Sequence, residues 1–465
     1  MNRNKLTKRF LLLSAALTMA LGQSAFAGET VALNLDDAML RAFQTNPTVS
    51  IAQYELDSAR ASYNAARQSR GISISANHTT QRGGYDDAQQ AAPGIWTKGI
   101  GNNHANSLSA SLPIFTGGKL SGTIKQAKAN YQYNEVGVQR TYNEMRSTVT
   151  DGYFNMLQAD NIQKLSAESV TRLEDHLKNV QAQYDVGVVA KVDVLRSQVE
   201  LANAKQTLIQ AENSYQVAEA NMNKIVGLPM DTNLKLDNLL VYNAYDKNMD
   251  DCLAYAAEHR PELMQAKYGV DAAKGALMVA RSGHMPQVAA SATQQWSDSS
   301  WPGDDNGKWG VGVNVSMNVF DTGVTLSKIH GAEADLKKAE ETYRNTVDSV
   351  NLDVRSNYLG LREAEKRIST TKLAVEQADE DYRIAKLRYM SGVGTNTDVL
   401  DAQVALTQAK TNYTKALYDY NTSKTALETS IGVPMSNPAT AVKVQAAKTA
   451  KAVKATEEKT EEAAK

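Results

Sequence analysis

The sequence predicts a mixed α+β membrane protein, with long packed helices and β-hairpins that close into a barrel only between several copies. Three observations carry that prediction. One unit occurs twice along the chain. It contains a proline-free helical stretch too long for a compact globule. The segments between the helices switch to a period of two, and they hold every tryptophan.

The duplication organises the chain. Residues Tyr184 to Val199 match Tyr389 to Val404 at an offset of 205, about a third of positions being identical as the register runs on without a gap. It ends at Gly227-Leu-Pro-Met230 against Gly432-Val-Pro-Met435. The same offset sets Phe115 and Gly118 on Phe320 and Gly323, and Tyr153 on Tyr358. Upstream the offset is 214, placing Asp37, Pro47, Tyr54, Asp57 and Arg67 on Asp251, Pro261, Tyr268, Asp271 and Arg281. The first copy therefore carries about nine extra residues, expected in a long loop around Tyr85 to Asn103.

At the N-terminus, Arg3, Lys5, Lys8 and Arg9 precede an apolar run from Phe10 to Leu21 and a small-residue cleavage signal at Ala25-Phe26-Ala27. That order reads as a secretory signal peptide rather than a bilayer-spanning anchor. The chain divides into a signal peptide at 1–27, a first repeat at 28–230, a linker at 231–248, a second repeat at 249–435 and an Ala/Lys/Glu tail at 436–465, expected to lie outside the fold. Losing the peptide's four cations takes the formal net charge from −1 to about −5. No basic patch points to nucleic acid. The lone Cys252 allows no internal disulfide. Nothing after residue 27 is long and apolar enough for a membrane helix, so contact with a membrane falls to β-strands.

Each copy reads helix, two strands, long helix, turn, helix. Glu55 to Arg67 and Gly269 to Arg281 are Ala-rich with helical spacing. From Leu120 to Tyr184 there is no proline, and Leu173, Leu177, Val180 and Tyr184 form a heptad stripe. One helix there would run roughly 100 Å; the alternative is several shorter helices broken near Gly137 and Gly152. Trp309, Val311, Val313, Val315, Met317 and Val319 alternate with Gly310, Gly312, Asn314, Ser316 and Asn318. Leu108, Ala110, Leu112 and Ile114 alternate with Ser109 and Ser111, and Ile72, Ile74 and Ala76 with Ser73, Ser75 and Asn77. Pro286 to Trp296 is the faintest of the four strands. One apolar and one wet side suit a membrane barrel better than a soluble sandwich, and Trp96, Trp296, Trp301 and Trp309 suit its interfaces. Four strands cannot close a barrel, so copies must associate; two would supply eight strands and three would supply twelve.

These features resemble the TolC-type outer-membrane efflux proteins over about residues 35 to 435. The resemblance rests on the duplicated helix–hairpin–helix plan, the Tyr-x-x-Gly-x-x-x-x-x-Asp-Val-Leu turns at 184 and 389, and the Gly-x-Pro endings. It implies a homotrimer, with a β-barrel in the outer membrane and a helical tunnel in the periplasm. It also implies a periplasmic adaptor and an inner-membrane pump as partners, in efflux or secretion of drugs, small molecules or proteins. Lacking a cysteine at the mature start, the chain falls with the unlipidated branch.

By the same resemblance the turns form the periplasmic tip, with Tyr184, Gly187, Val188, Tyr389, Gly392 and Val393 as adaptor-docking candidates. Asp398 and Asp401, three residues apart on one helix face, match acidic positions that ring the tunnel's constriction. The plainer reading is that first-turn aspartates cap the helix. The first copy has Asp193, expected as a cap, and Arg196 opposite Asp401. Gly392 to Asn396 carries no charge, unlike relatives that place a basic residue there. The histidines have no ligand spacing, and no phosphate loop follows a strand. The reading is therefore a passive conduit with no enzyme site and no cofactor, the alternative being an exported coiled-coil spacer.

Overall fold

The computed structural model describes residues 30–84, 89–92, 95–97, 100–237 and 240–433. The expected signal peptide and tail lie outside these described residues. The chain forms two compact units, each drawing on both sequence copies. One, here the helical unit, comprises the residues up to Val49, Thr141–His259 and those from Val350. The other, the hairpin unit, comprises Ser50–Arg140 and Arg260–Ser349.

The first copy runs β1 (Val31–Leu33), α1 (Leu35–Thr45), α2 (Pro47–Gln68), β2 (Ser73–Gly84), β3 (Gln89–Ala92), β4 (Ile95–Thr97), β5 (Ile100–Phe115), α3 (Lys119–Asp185) and α4 (Lys191–Val226). After β6 (Leu234–Leu236), the second copy supplies α5 (Met249–His259), α6 (Pro261–Arg281), β7 (Gln287–Asp298), β8 (Lys308–Ser316), α7 (Val324–Met390) and α8 (Asn396–Ser430).

Local chemistry sets the helix limits. Asn34 caps α1, its side chain accepting the Asp37 N–H at 2.8 Å, and Asp36 and Asp37 complement the first turn. The helix stops at Asn46 because Pro47 disfavours helical backbone in the residue before it. Pro47 then opens α2, where its missing N–H costs nothing. The second copy repeats this at Arg260 and Pro261, between α5 and α6. Helices α3 and α7 are 67 residues each and continuous, so Gly137 and Gly152 do not break α3.

In the helical unit, Phe43, Val149, Tyr153, Met156, Met222 and Val226 form the centre of an apolar core. Tyr153 is fully buried, and its hydroxyl donates to the carbonyls of Leu33 at 3.3 Å and Asp237 at 3.0 Å. Burial pushes that phenol up to about 12. The bonds tie α3 to a parallel pair, β1 with β6, in which Val31 faces Leu234 and Leu33 faces Leu236. Strand β6 lies within the segment expected as a plain linker; three residues are too few to show a period. Cys252 is fully buried in α5, its sulfur 3.7 Å from the Tyr245 hydroxyl.

The hairpin unit holds a four-stranded antiparallel sheet in the order β2-β5-β7-β8. Its registers sort the side chains into rows. Ile74, Ala110, Ala292 and Val311 stand opposite one another across the four strands, as do Leu112, Ala290 and Val313 across three. The alternate rows are Ser75, Ser109, Thr293 and Gly310, then Ser73, Ser111, Ser291 and Gly312. Across these rows one face is therefore apolar and the other is small and polar. The expected strand ending at Val319 stops at Ser316, leaving Met317 and Val319 beyond it, and Ile72 precedes β2. The expected loop at Tyr85 to Asn103 is also corrected. Strand β5 starts at Ile100, and β3 pairs with β4, Gln90 facing Trp96.

Within this unit α3 and α6 cross backbone to backbone. A Cβ added at Gly275 would lie 2.7 Å from Gln126 N and 2.9 Å from Gly122 O, and one at Gly122 would lie 2.7 Å from Gly275 O. Only glycine on both helices permits this approach.

Candidate functional site

The two helix reversals, α3 to α4 and α7 to α8, are built alike. Gly187 takes φ +78°, its N–H donating to Tyr184 O at 2.9 Å while that of Val188 donates to Gln183 O at 2.8 Å. Gly392 takes φ +73°, with Gly392 N–H to Tyr389 O and Val393 N–H to Arg388 O, both 3.0 Å. Each is a Schellman motif, which satisfies the last helical carbonyls through a left-handed residue. The turns leave Val186, Val188 and Val393 about 70% exposed. Their tyrosines differ: Tyr184 is 38% exposed, whereas Tyr389 is 7% exposed and packs on the His176 ring at 5.3 Å.

Just past the turns the copies diverge. Helix α8 begins with a capping box: Thr395 Oγ1 accepts the Asp398 N–H at 3.2 Å, and Asp398 Oδ2 accepts the Thr395 N–H at 2.9 Å. The hydrogen bonds to Thr395 hold the Asp398 carboxyl below its ordinary range. The duplicated position in α4 is Ala190, which has no side-chain cap. The expectation of Asp193 as a cap is thus corrected. It stands in the first turn behind an alanine, and its backbone carbonyl is the acceptor used, taking a bond from Asn396 Nδ2 at 3.1 Å.

Asn396 is buried and pins three helices. Its Oδ1 lies 2.7 Å from His176 Nε2 in α3, and its Nδ2 donates to Asp193 O and, at 3.2 Å, to Ser197 Oγ in α4. With that amide orientation His176 carries its proton on Nε2. Burial lowers the pKa of His176, and nearby Lys386 adds to the effect. Val180, Val194, Ala385, Tyr389, Val399 and Ala402 make an apolar cluster in the same unit. Sequence reasoning missed His176, because a single histidine carries no sign of a partner 220 residues away.

Asp401 lies exposed, one turn into α8. It lines a groove between α4 and α8 with Leu195, Arg196, Val199, Thr397 and Leu400. Arg196 Nη1 crosses that groove to donate to Thr397 Oγ1 at 2.9 Å. Among the described residues no group of three or more His, Cys, Asp or Glu side chains is placed to hold a metal.

The tryptophans belong to the hairpin unit. Trp309 is 79% exposed, in the row of Ala76, Leu108 and Gln294, and half-buried Trp296 is in the next row on that face, with His78 and Asn106. Trp301 packs edge-on against His78 at 5.0 Å and His104 at 5.7 Å. Trp96 has its backbone in β4; its side chain lies outside the described residues.

The family model for outer membrane efflux proteins matches this chain twice, over residues 39–228 and 253–433. The chain belongs to that family. As an outer membrane efflux protein it is similar to the outer membrane protein TolC of Escherichia coli (strain K12). The two are 24% identical over 434 residues, covering 90% of this chain and 85% of TolC. The alkaline protease secretion protein AprF of Pseudomonas aeruginosa is 22% identical, covering 71% of this chain and 70% of AprF. Among solved structures, the outer membrane protein VceC of Vibrio cholerae shares the fold with a TM-score of 0.75 at 17% identity, covering 86% of this chain and 96% of VceC. The Campylobacter jejuni CmeC outer membrane channel gives 0.75 at 17% identity, covering 88% of each chain. The family is one of transport proteins rather than enzymes.

Proposed function

We propose that this chain is one of three identical subunits of an outer-membrane exit tunnel. The tunnel is the passive conduit of a tripartite efflux or type I secretion system. The observation that carries this reading is the four-stranded sheet. Among the described residues it has an apolar face, a small polar face and two edge strands, β2 and β8, each with a single neighbour. Its apolar face includes Trp309, Val311, Val313 and Val315, each at least 64% exposed. In lipid an open edge leaves backbone groups unsatisfied, so the sheet must close with sheets of other copies. Trp96, Trp296, Trp301 and Trp309 then belong to the membrane interfaces.

The two reversals are the periplasmic tip in this reading. Val188 and Val393, exposed beside Gly187 and Gly392, supply the apolar contacts for an adaptor, which couples the tunnel to an inner-membrane pump. Tyr184 borders that surface, while buried Tyr389 props its turn from within. Asp398 and Asp401 from three copies ring the constriction. Asp398 serves as cap and charge at once, since its capping bonds hold it ionised.

The test is migration and conductance of the membrane-extracted protein. A heat-sensitive oligomer that forms single channels in planar bilayers is expected. A monomer that stays soluble without detergent would overturn the tunnel in favour of a coiled-coil spacer.

A further inference from the structure

We infer that Arg196 is a built-in counter-charge of the acidic constriction, weakening its hold on cations. The inference rests on the proposed placement of Asp398 and Asp401 around the axis. The duplication sets Arg196 on Asp401, so the helix that would repeat the carboxylate carries a guanidinium instead. The structure brings the two together: Arg196 on α4 and Asp401 on α8 line one groove. Arg196 reaches α8 through the neutral Thr397 hydroxyl, one residue before Asp398. A neutral partner fixes the side chain without cancelling its charge, which stays exposed to the water of the groove. Glu200, one turn further along α4, lines the groove too. In three copies Arg196 adds three cations to the ring, besides Arg388, whose charge already acts on Asp398.

Exposed charges act through water over a Debye length of about 10 Å at 0.1 M salt and about 30 Å at 0.01 M. Removing the cation from each of three subunits would therefore tighten cation binding most at low salt.

The experiment is block of the reconstituted channel by La3+ at low salt, in the parent, Arg196→Gln, Arg196→Lys and Asp401→Asn. Arg196→Gln is expected to lower the half-blocking La3+ concentration roughly tenfold, an effect that fades at molar salt. Arg196→Lys, retaining the charge, is expected to restore the parent's block, and Asp401→Asn to weaken it. Weaker block in Asp401→Asn with none of the change in Arg196→Gln would overturn the counter-charge and leave the ring standing. Equal changes in Arg196→Gln and Arg196→Lys would assign the effect to the Thr397 bond instead, overturning the role of charge. No change in Asp401→Asn would remove the acidic constriction itself.

Discussion

His176 shows how much one side chain decides at the reversals. It is buried, bonded to Asn396 and held neutral by burial. Its pKa is lowered from 6.5 in the folded protein, so the unfolded chain binds the proton more readily. The stabilisation by the neutral ring is complete above the ordinary value and declines as the pH falls below it towards the folded value. Acidification from about pH 7.5 to about pH 5.5 is therefore expected to lower the melting temperature more in the parent than in His176→Gln. Equal pH slopes in the two proteins would remove His176 from the acid response. Legibility at this scale followed sequence distance. Gly187 and Gly392 could be read as turn residues because a Schellman reversal is local. The capping box at Thr395 and Asp398 is local as well. The Asn396 pin was hidden, because its partners come from two other helices.

Among the elements, the long helices were the most legible. Absence of proline and a heptad stripe located α3 to within a residue at each end. The short parallel pair β1–β6 and the ends of the strands were not legible, since tertiary pairing rather than period sets them. The crossing at Gly122 and Gly275 escaped for a related reason: within one helix each glycine reads only as a weak spot. Gly275→Ala is expected to cost about 1–3 kcal/mol by forcing α3 and α6 apart. The measurement is denaturant unfolding of the detergent-solubilised protein. Gly269→Ala, whose added Cβ would meet nothing within 4 Å, is the control. Equal stability of the two variants would show that the crossing yields without strain.

For the whole molecule, the decisive pattern is the pair of sheet faces, legible in β8 and β5 from alternation alone. An arginine at Val313 would stand in the row of Leu112 and Ala290. At a bilayer midplane it is expected to cost about 2–4 kcal/mol per chain. Asn314→Arg, on the opposite face, is expected to assemble normally. The yield of heat-sensitive oligomer in membranes measures both. Equal yields would mean that the apolar face does not meet lipid.

The single cysteine has a practical consequence. Cys252 is buried in the helical unit beside Tyr245, so thiol reagents are expected to reach it only when the fold opens. A fluorophore attached at Val393→Cys would report from that turn alone, against no background. The silence is also a clock. The rate at which the native sulfur becomes labelled counts the openings of α5, turning one inert atom into an internal gauge of how often this unit breathes.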